Sequence, residues 1–457
     1  MFGSLTAKQL LTSLQASSKA AAAEAASSYR LLSWFSTQPA GRDEDQPVCR
    51  FGGAYSDKPT LAQSITECVA SVKQQLGDET QLDLCQLLVS LGHGEHLRLA
   101  PMYITEMLSN ASGRAPVVIG GVVQGLITPM VPLAPSGVSL LAASLPGTTL
   151  YPFHTTSTDL PVLPGRGWAD LLGTSAQPHT ATTHTSALLM AEPHFTTVET
   201  LLSRLQTAVP GMGIVGGVLQ PGAWGGGHQS MRGAVFNSTQ VYDEGAVGCI
   251  LQGPVQLDTI CTVGFRPIGR SAEITAAQGG SILELDGQPA LQVMRDLWTA
   301  LEHVEPPDRG LAVQVGLSEA GSEDQLLARN IDHFDAERQA IVVACDEVQP
   351  ATRLQLLVRD PAFGRKALEA NLKRYLGDLP PGICPEQGTL GGLLYSCVHS
   401  QQEEHRILHT SCPSLPWQGC MVQGEFGPAG TRSGPAVMHS YSSSLGFLRS
   451  PSLPAKP

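Results

Sequence analysis

Charged residues are scarce in this sequence, making up 15% of its 457 residues against about 25% in an average globular chain. Lysine and arginine number 28 and aspartate and glutamate 40, which gives a formal net charge of -12. Proteins that bind nucleic acid usually carry a basic surface, and no basic cluster stands out here. The composition therefore predicts no nucleic-acid partner.

Local cysteine pairs and long apolar runs are also missing. The ten cysteines are scattered, and none has the C-x-x-C spacing of a structural zinc site. No secretory signal precedes them, so we expect reduced, buried thiols. No apolar run reaches the about 18 residues of a membrane helix, and the glycines at 225–227 lack the Lys-Ser/Thr of a phosphate loop. The sequence predicts a soluble protein with no metal, no cofactor and no membrane span.

The first forty residues differ in composition from the rest. Residues 1–40 contain Lys8, Lys19 and Arg30, with Glu24 as the sole acid, among many serines and alanines. Acid-poor, amphipathic N-termini are typical of mitochondrial or chloroplast transit peptides. We therefore expect residues 1 to about 33 to direct the chain to an organelle. The alternative is an ordinary alanine-rich surface helix of a cytoplasmic protein.

Periodic apolar residues predict a mixed α/β fold. A helical stripe covers 61–76, between a capping Thr60 and a terminating Gly77. Buried strands are predicted at 83–91 and 116–121, with a helix between them. This alternation favours two related halves, each a largely buried sheet flanked by helices.

Two later stretches have less regular patterns. Residues 152–186 are rich in proline, threonine and serine and predict a long loop. Residues 234–236 and 246–251 predict two strands of a hairpin-like pair.

A glycine-rich segment recurs along the chain. Residues 117–124 are Val-Val-Ile-Gly-Gly-Val-Val-Gln, and 214–220 are Ile-Val-Gly-Gly-Val-Leu-Gln. A weaker copy, Gly-Cys-Met-Val-Gln-Gly, stands at 419–424. Because glycine lacks a Cβ, each segment predicts a buried strand that closely approaches another backbone or a ligand. Close packing is the preferred interpretation.

Five short motifs follow one another in the C-terminal half. They are Arg-Pro-Ile-Gly at 266–269, Asp-Gly-Gln-Pro-Ala at 286–290, Arg-Asp at 359–360, Ser-Cys at 396–397 and Gly-Glu-Phe-Gly-Pro at 424–428. In this order they resemble the C-terminal domain of the FIST family. The resemblance covers roughly residues 250–447 and implies a FIST N-like domain at 58–250, a FIST C-like domain at 251–447 and a disordered tail at 448–457.

The resemblance also implies a function. FIST domains belong to signalling proteins and are regarded as sensors of small ligands such as amino acids. In some eukaryotic relatives the domain stands behind an F-box and recruits substrates for ubiquitination. Nothing before Leu61 looks like an F-box, so an adaptor role without an F-box of its own is kept as an alternative.

Three residues are candidates for ligand binding. Glu425 lies between glycines on a predicted turn, where a carboxylate suits a ligand ammonium group or caps the turn. Arg266 precedes a proline and suits a ligand carboxylate or an internal ion pair. Cys397 ends an apolar strand two residues before His399, a spacing that would also suit a thiol-dependent enzyme.

We prefer a buried structural role for Cys397 over catalysis. The sequence therefore predicts a non-catalytic protein that binds a small ligand, with a protein partner and a thiol enzyme as alternatives.

Overall fold

The computed structural model describes residues 48–90, 96–110, 113–129, 131–160, 183–219, 234–301, 313–319, 326–345, 348–350, 352–397, 403–432 and 434–450. Predictions for residues 1–40, for His399 and for the glycines at 225–227 fall outside this part of the chain. The helices are α1 (Leu61–Leu76), α2 (Ala100–Leu108), α3 (Val198–Ala208), α4 (Ala290–Leu301), α5 (Pro361–Gly377) and α6 (Glu404–Ser411).

The strands up to the middle of the chain are β1 (Arg50–Ser56), β2 (Leu84–Ser90), β3 (Val117–Val123), β4 (Leu126–Ile127), β5 (Val138–Ser144), β6 (Thr149–Thr155), β7 (His184–Ala191), β8 (Gly213–Leu219), β9 (Val235–Asn237), β10 (Gln240–Tyr242), β11 (Ala246–Gly253) and β12 (Gln256–Val263). Those that follow are β13 (Phe265–Gln278), β14 (Ser281–Leu285), β15 (Gln288–Pro289), β16 (Val313–Glu319), β17 (Leu327–Arg329), β18 (Ile331–Asp335), β19 (Ala340–Val343), β20 (Thr352–Arg359), β21 (Leu390–Cys397), β22 (Trp417–Pro428), β23 (Ala436–His439) and β24 (Ser442–Arg449).

Helix α1 shows how the local sequence sets an element. Its apolar stripe, which includes Ile65, Cys68 and Val72, is buried along one face. Thr60 Oγ1 accepts a hydrogen bond from Gln63 N at 3.3 Å, which caps the first turn. The helix ends at Gly77, whose φ of 92° is accessible to glycine. No helix in the described ranges is both long and apolar enough to cross a bilayer.

One arrangement of four strands occurs three times along the chain. In repeat 1 an outer strand, a return strand, a middle strand and a parallel strand lie in the order β1-β5-β2-β3. The return strand is antiparallel to both of its neighbours, and the middle strand is parallel to the last one. Repeat 2 has the order β6-β11-β7-β8, and repeat 3 has the order β12-β24-β21-β22. The repeating unit is therefore found three times, whereas the sequence favoured two related halves.

The glycine-rich segments noticed in the sequence are the parallel strands of these repeats. A Cβ on Gly120 would lie 1.7 Å from Leu87 O of the middle strand, and a Cβ on Gly216 would lie 1.7 Å from Leu189 O. The backbones of the two parallel strands therefore approach each other too closely for any side chain at this position. Close packing, the preferred interpretation, explains these glycines.

The repeats are packed in four layers. Sheet A consists of repeat 1 extended by β9 and β10, and sheet B combines repeats 2 and 3 through the antiparallel pair β8–β22. The two sheets face each other across a core that includes Phe51 and Leu88 from sheet A and Leu188 and Tyr395 from sheet B. Helices α1 and α2 cover the outer face of sheet A, and α3, α5 and α6 cover that of sheet B. The predicted mixed α/β class is confirmed, but each sheet has helices on one face and the other sheet on its second face.

A third sheet interrupts repeat 3. Sheet C has the order β17-β16-β20-β13-β14-β19-β18, with β15 beside β14. It packs on α4 around its own core, which includes Ile274, Leu285 and Leu356. The whole insert runs from β13 to β20, between the outer strand β12 and helix α5. A salt bridge between Arg329 and Glu199, at 2.8 Å, fastens it to α3.

Two local predictions were wrong. The stretch 152–186, predicted as a loop, contributes the end of β6 and the start of β7 to sheet B, while residues 161–182 lie outside the described part. Strands β9 and β11 do not form a hairpin with each other. Instead β9 pairs with β3 and β10, and β11 lies between β6 and β7.

Candidate functional site

Three strands of repeat 3 meet around a buried carboxyl group. The middle strand β21 ends at Cys397, the return strand β24 begins at Ser442, and β22 continues past the end of β21. Glu425 lies on this continuation and is fully buried. Its Oε2 accepts a hydrogen bond from Ser442 Oγ at 2.6 Å, and its Oε1 has no hydrogen-bond partner among the described residues.

Burial controls the protonation of this cluster. It raises the pKa of Glu425 to about 8, although the hydrogen bond from Ser442 and the nearby thiol of Cys397 act in the opposite direction. At neutral pH the carboxyl group therefore holds its proton. Burial, followed by the charge of Glu425, also raises the pKa of the Cys261 thiol on β12. The imidazole of His439, opposite Glu425 on β23, has its pKa lowered to about 4 by burial and is neutral.

A cavity of about 60 Å³ lies beside this cluster. Its polar lining includes two guanidinium groups, Arg359 and Arg365, and two carboxylates, Glu403 and Glu404. Arg365 Nη1 lies 2.7 Å from Glu403 Oε1. One water molecule needs about 10–15 Å³ of such space, so the cavity has room for roughly four to six non-hydrogen atoms.

Four residues with hydroxyl groups, Thr262, Tyr441, Ser442 and Ser443, complete the polar lining of the cavity. Ser443 Oγ donates to Glu404 Oε1 at 2.8 Å, and Ser442 Oγ donates to Glu425 behind it. Thr262 is 7% exposed, and its Oγ1 is buried without a hydrogen-bond partner in the described structure. An unpaired buried hydroxyl costs stability unless something else supplies its hydrogen bond, so Thr262 marks a place where a ligand group or water is expected.

The other repeats show what is unusual about Thr262. The registers of the three outer strands against their return strands place Ser56, Thr155 and Thr262 at the same position. The Ser56 hydroxyl donates to a carboxylate oxygen of Glu67. The Thr155 hydroxyl donates to Thr156 O at 3.4 Å. Within the described repeats, repeat 3 is the copy in which this hydroxyl is buried without a protein partner, in a residue that lines a cavity.

The cavity also lies at the neck of the inserted sheet C. The chain leaves repeat 3 at Gly264 and returns at Asp360, where Asp360 N donates to Gly264 O at 3.0 Å. Gly264, Arg359 and Pro361 all line the cavity. Both crossings between the body and the insert therefore form part of the cavity wall.

Cys397 and Glu425, two of the predicted site residues, are brought together at this place. They meet at the buried end of β21, beneath Ser442. Glu425 lies inside strand β22, however, and not on the predicted turn. Its flanking glycines allow close packing, since a Cβ on Gly427 would lie 2.7 Å from Ser444 Oγ.

Arg266, the third predicted residue, lies on the other side of the neck. Its Nε donates to Asp360 Oδ2 at 3.1 Å, so it forms the internal ion pair that was one of its two predicted roles. Asp360 caps α5 by accepting from Phe363 N at 2.9 Å, and the first turns of α5 line the cavity. Arg266 therefore does not line the cavity but holds Asp360 at the start of α5, whose first turns do form its wall. In the same way Glu425 does not line the cavity but holds Ser442, which does.

The residues that line the cavity were not named as site residues from the sequence. Arg359 did stand in one of the five motifs, Arg-Asp at 359–360. Thr262 carried no local signal. Its significance depends on strands that meet from distant parts of the chain.

Comparisons with known proteins agree with the motifs. A FIST N domain matches residues 83–288, and a FIST C domain matches residues 290–428. An uncharacterized protein of Mycobacterium tuberculosis is 27% identical over 414 residues, which cover 87% of this chain and 99% of that protein. An uncharacterized protein of Mycobacterium bovis is 26% identical over 277 residues, 57% of this chain and 67% of its own length.

Proposed function

Because this chain belongs to the FIST family, whose N and C domains match it one after the other, we propose that it is a sensory protein that binds a small ligand in the cavity of repeat 3. The observation that carries the proposal is the unpartnered hydroxyl of Thr262, buried in the wall of that cavity. Its counterparts in repeats 1 and 2 have protein partners. A ligand group would supply the missing hydrogen bond.

The lining favours a small zwitterion, with amino acids as the class to test first. Two guanidinium groups and two carboxylates face the cavity, so a ligand with one charge of each sign would be neutralised on both sides. Room for roughly four to six non-hydrogen atoms suits glycine or alanine better than a large amino acid.

The three residues predicted from the sequence have supporting roles in this proposal. Glu425 would act on the ligand ammonium through Ser442, and Arg266 would act on the carboxylate end by holding Asp360 and the first turn of α5. Cys397 would pack beside Glu425, behind the residues that line the cavity.

A thermal-shift screen of the amino acids, beginning with glycine and alanine, is the first experiment. Calorimetric titration of the best hit then compares the wild type with Glu425→Gln. Glu425 is uncharged at neutral pH and reaches the ligand through Ser442, so the variant should weaken binding by about the worth of one neutral hydrogen bond, roughly two- to tenfold. Ser90→Ala, at the position of repeat 1 that corresponds to Cys397, is the matched control and should bind normally.

Two results would count against this site. If Glu425→Gln unfolds the protein or leaves the affinity unchanged, Glu425 is a structural residue and the proposed site is misplaced. If no amino acid shifts the thermal midpoint, the ligand class is wrong.

Thiol catalysis by Cys397 has less support. The side chain is 1% exposed, and its neighbour Glu425 holds a proton at neutral pH and so cannot accept one from the thiol. Alkylation of Cys397 measured across pH would contradict this view if the thiol reacted rapidly near neutrality.

We also propose that residues 1 to about 33 direct the chain to an organelle. The support is their composition, which is basic and nearly free of acids. A fusion of residues 1–45 to a fluorescent reporter tests this proposal, and a diffuse cytosolic signal would contradict it.

A further inference from the structure

A second and much larger space lies on sheet B, away from the cavity described above. This groove has a volume of about 1210 Å³ and is bounded by α3, the start of β7, the first half of β12 and the segment from Pro428 to Met438. Pockets for small molecules usually have volumes of about 300–1,000 Å³. The groove therefore has room for a ligand larger than a metabolite.

One wall of the groove is an unpaired strand edge. In the described sheet, β12 pairs with β24 along one side and has no strand on the other. On this second side, Cys261 N donates to Thr431 O at 2.8 Å. Backbone groups alternate in direction along an antiparallel ladder, so those of Thr259 and Leu257 point the same way as those of Cys261. Both residues line the groove. Leu257 O lies against the start of β8, since a Cβ on Gly213 would be 3.2 Å from it, so Thr259 is the open position of this edge, and no backbone partner for its N–H group occurs in the described structure.

The opposite side of the groove contains another unpaired group. Ser186, at the start of β7, is 3% exposed, and its hydroxyl lacks a hydrogen-bond partner within the described ranges. It lines the groove. The oxygen itself is buried, so a ligand that runs along β12 would meet this hydroxyl once the side chain rotates toward the groove.

The charged groups of the groove are already neutralised by protein partners. Glu199 pairs with Arg329 at 2.8 Å, and Asp258 pairs with Arg449 at 2.5 Å. Arg432 pairs with Asp378 at 2.8 Å. The remaining lining consists largely of hydroxyl, amide and apolar side chains, which suits an uncharged ligand.

We propose that this groove receives an extended, uncharged segment of a partner protein, which adds to β12 as a strand. Thr431 already provides the first hydrogen bond of such a ladder at Cys261, and the added segment would continue it at Thr259. Addition of a strand to an exposed sheet edge is a recurring mode of peptide recognition, in which main-chain hydrogen bonds supply affinity. Unpaired N–H and C=O groups in a groove of this size are complementary to a peptide backbone.

Selection of random twelve-residue peptides displayed on phage, with the full chain as bait, tests the proposal. We expect extended, uncharged binders. The loss of one main-chain hydrogen bond corresponds to roughly a three- to tenfold effect, so Thr259→Pro should weaken binding by about that factor. Proline removes the N–H that points into the groove and is tolerated on edge strands. Thr259→Ala keeps the N–H and should bind within about threefold of the wild type.

Ser186→Ala is a second variant that does not touch the strand. It removes an unsatisfied hydroxyl, so the fold should be unharmed while peptide binding weakens by about threefold or more. Because the groove is internally neutralised, the affinity should change little between 50 mM and about 500 mM salt.

Several results would overturn the proposal. These are no binder after selection, binders that tolerate both Thr259→Pro and Ser186→Ala, and binders that depend on charge and are lost in salt. Dimerisation of the chain that Thr259→Pro abolishes would also overturn it, because a second copy would then occupy the groove. None of these results depends on whether an amino acid binds in the cavity of repeat 3.

Discussion

The strand ends of repeats 1 and 3 differ although their strand orders are the same. In repeat 1 the middle strand ends at Ser90, whose N–H and hydroxyl both donate to Gly137 O, at 3.0 and 3.2 Å. In repeat 3 the corresponding residues are Cys397 and Ser442, and the buried carboxyl of Glu425 lies behind them. Repeat 1 satisfies these polar groups locally, whereas in the described part of repeat 3 Thr262 Oγ1 has no hydrogen-bond partner and Glu425 is fully buried. Because the two repeats share one strand arrangement, a polar side chain that repeat 3 has and repeat 1 lacks at the same position is not required by that arrangement.

Separating repeat 3 from the other repeats should have the largest effect. Strand β22 pairs with β8 of repeat 2, and Tyr395 of β21 hydrogen-bonds to Gln86 of repeat 1. A fragment of residues 250–457 would expose the edge of β22 and half of the core between the sheets, which invites aggregation. We expect it to be insoluble when expressed alone. A soluble fragment with a cooperative unfolding transition would contradict this expectation.

Alanine at the repeated glycine should distinguish the repeats next most strongly. In Gly120→Ala the new Cβ would lie 1.7 Å from Leu87 O, whereas in Gly419→Ala it would lie 2.7 Å from Leu394 O. The first clash requires the parallel strands to separate, so we expect a loss of about 4 kcal/mol or more in the free energy of unfolding. The second should cost roughly half as much. Urea unfolding of both variants measures the difference, and equal losses would mean that the closer approach at Gly120 is relieved without extra cost.

The pH dependence of stability should distinguish the strand ends of the two repeats. The pKa of Glu425 is about 8 in the folded chain, above its ordinary value of 4.5. Between these pH values the folded chain keeps a proton that the unfolded chain releases. Stability therefore falls as pH rises through this window and stays at the lower level above it. In the wild type, the free energy of unfolding should therefore fall by on the order of 3 kcal/mol between pH 5 and 9 because of Glu425. Glu425→Gln should abolish this decrease.

Urea unfolding at several pH values measures this effect. Ser90→Ala, the control in repeat 1, should keep the pH profile of the wild type. If Glu425→Gln keeps it as well, the carboxyl of Glu425 is already ionised at neutral pH in the folded chain.

The smallest effect is expected at the hydroxyl shared by the outer strands. Thr262→Val removes an unpartnered group and should be neutral or stabilise the chain by up to about 1 kcal/mol. Ser56→Ala leaves a carboxylate oxygen of Glu67 without its donor and should cost about 1 kcal/mol. Thermal midpoints of the two variants give the comparison. A clear loss of stability in Thr262→Val would mean that its hydroxyl has a partner in the empty protein.

The sequence predicted the helices and buried strands well where local signals are strong. Residues 61–76 combine an apolar stripe with a cap at each end, and the helix has those bounds. Strand β6 was missed because it contains Pro152, but β6 is the edge of sheet B, where a missing N–H is tolerated. The third repeat was difficult to detect in the sequence. Cys420 replaces the second glycine of the repeated segment, and the insertion of sheet C separates β12 from α5 along the chain.

The candidate site was predicted in part. Short motifs pointed to Cys397 and Glu425, which the fold brings together. The glycines on either side of Glu425 suggested a turn, although they allow close packing of a strand. Thr262 could not be predicted from local sequence. Its hydroxyl is unusual because it has no hydrogen-bond partner in the described structure, whereas that of Ser56 has one.

The neck of sheet C has a consequence for how this chain can be altered. Since Gly264 and Asp360 are joined by a backbone hydrogen bond of 3.0 Å, the two ends of the insert are already neighbours. In repeat 1 the same connection, from Ser56 to the start of α1 at Leu61, needs only the short stretch 57–60. The insert can therefore be exchanged or removed while the strands of sheets A and B keep their pairing. Another domain grafted at this junction would be attached directly to the wall of the cavity. A ligand in the cavity would then affect the position of the grafted domain, and the position of that domain would affect ligand binding.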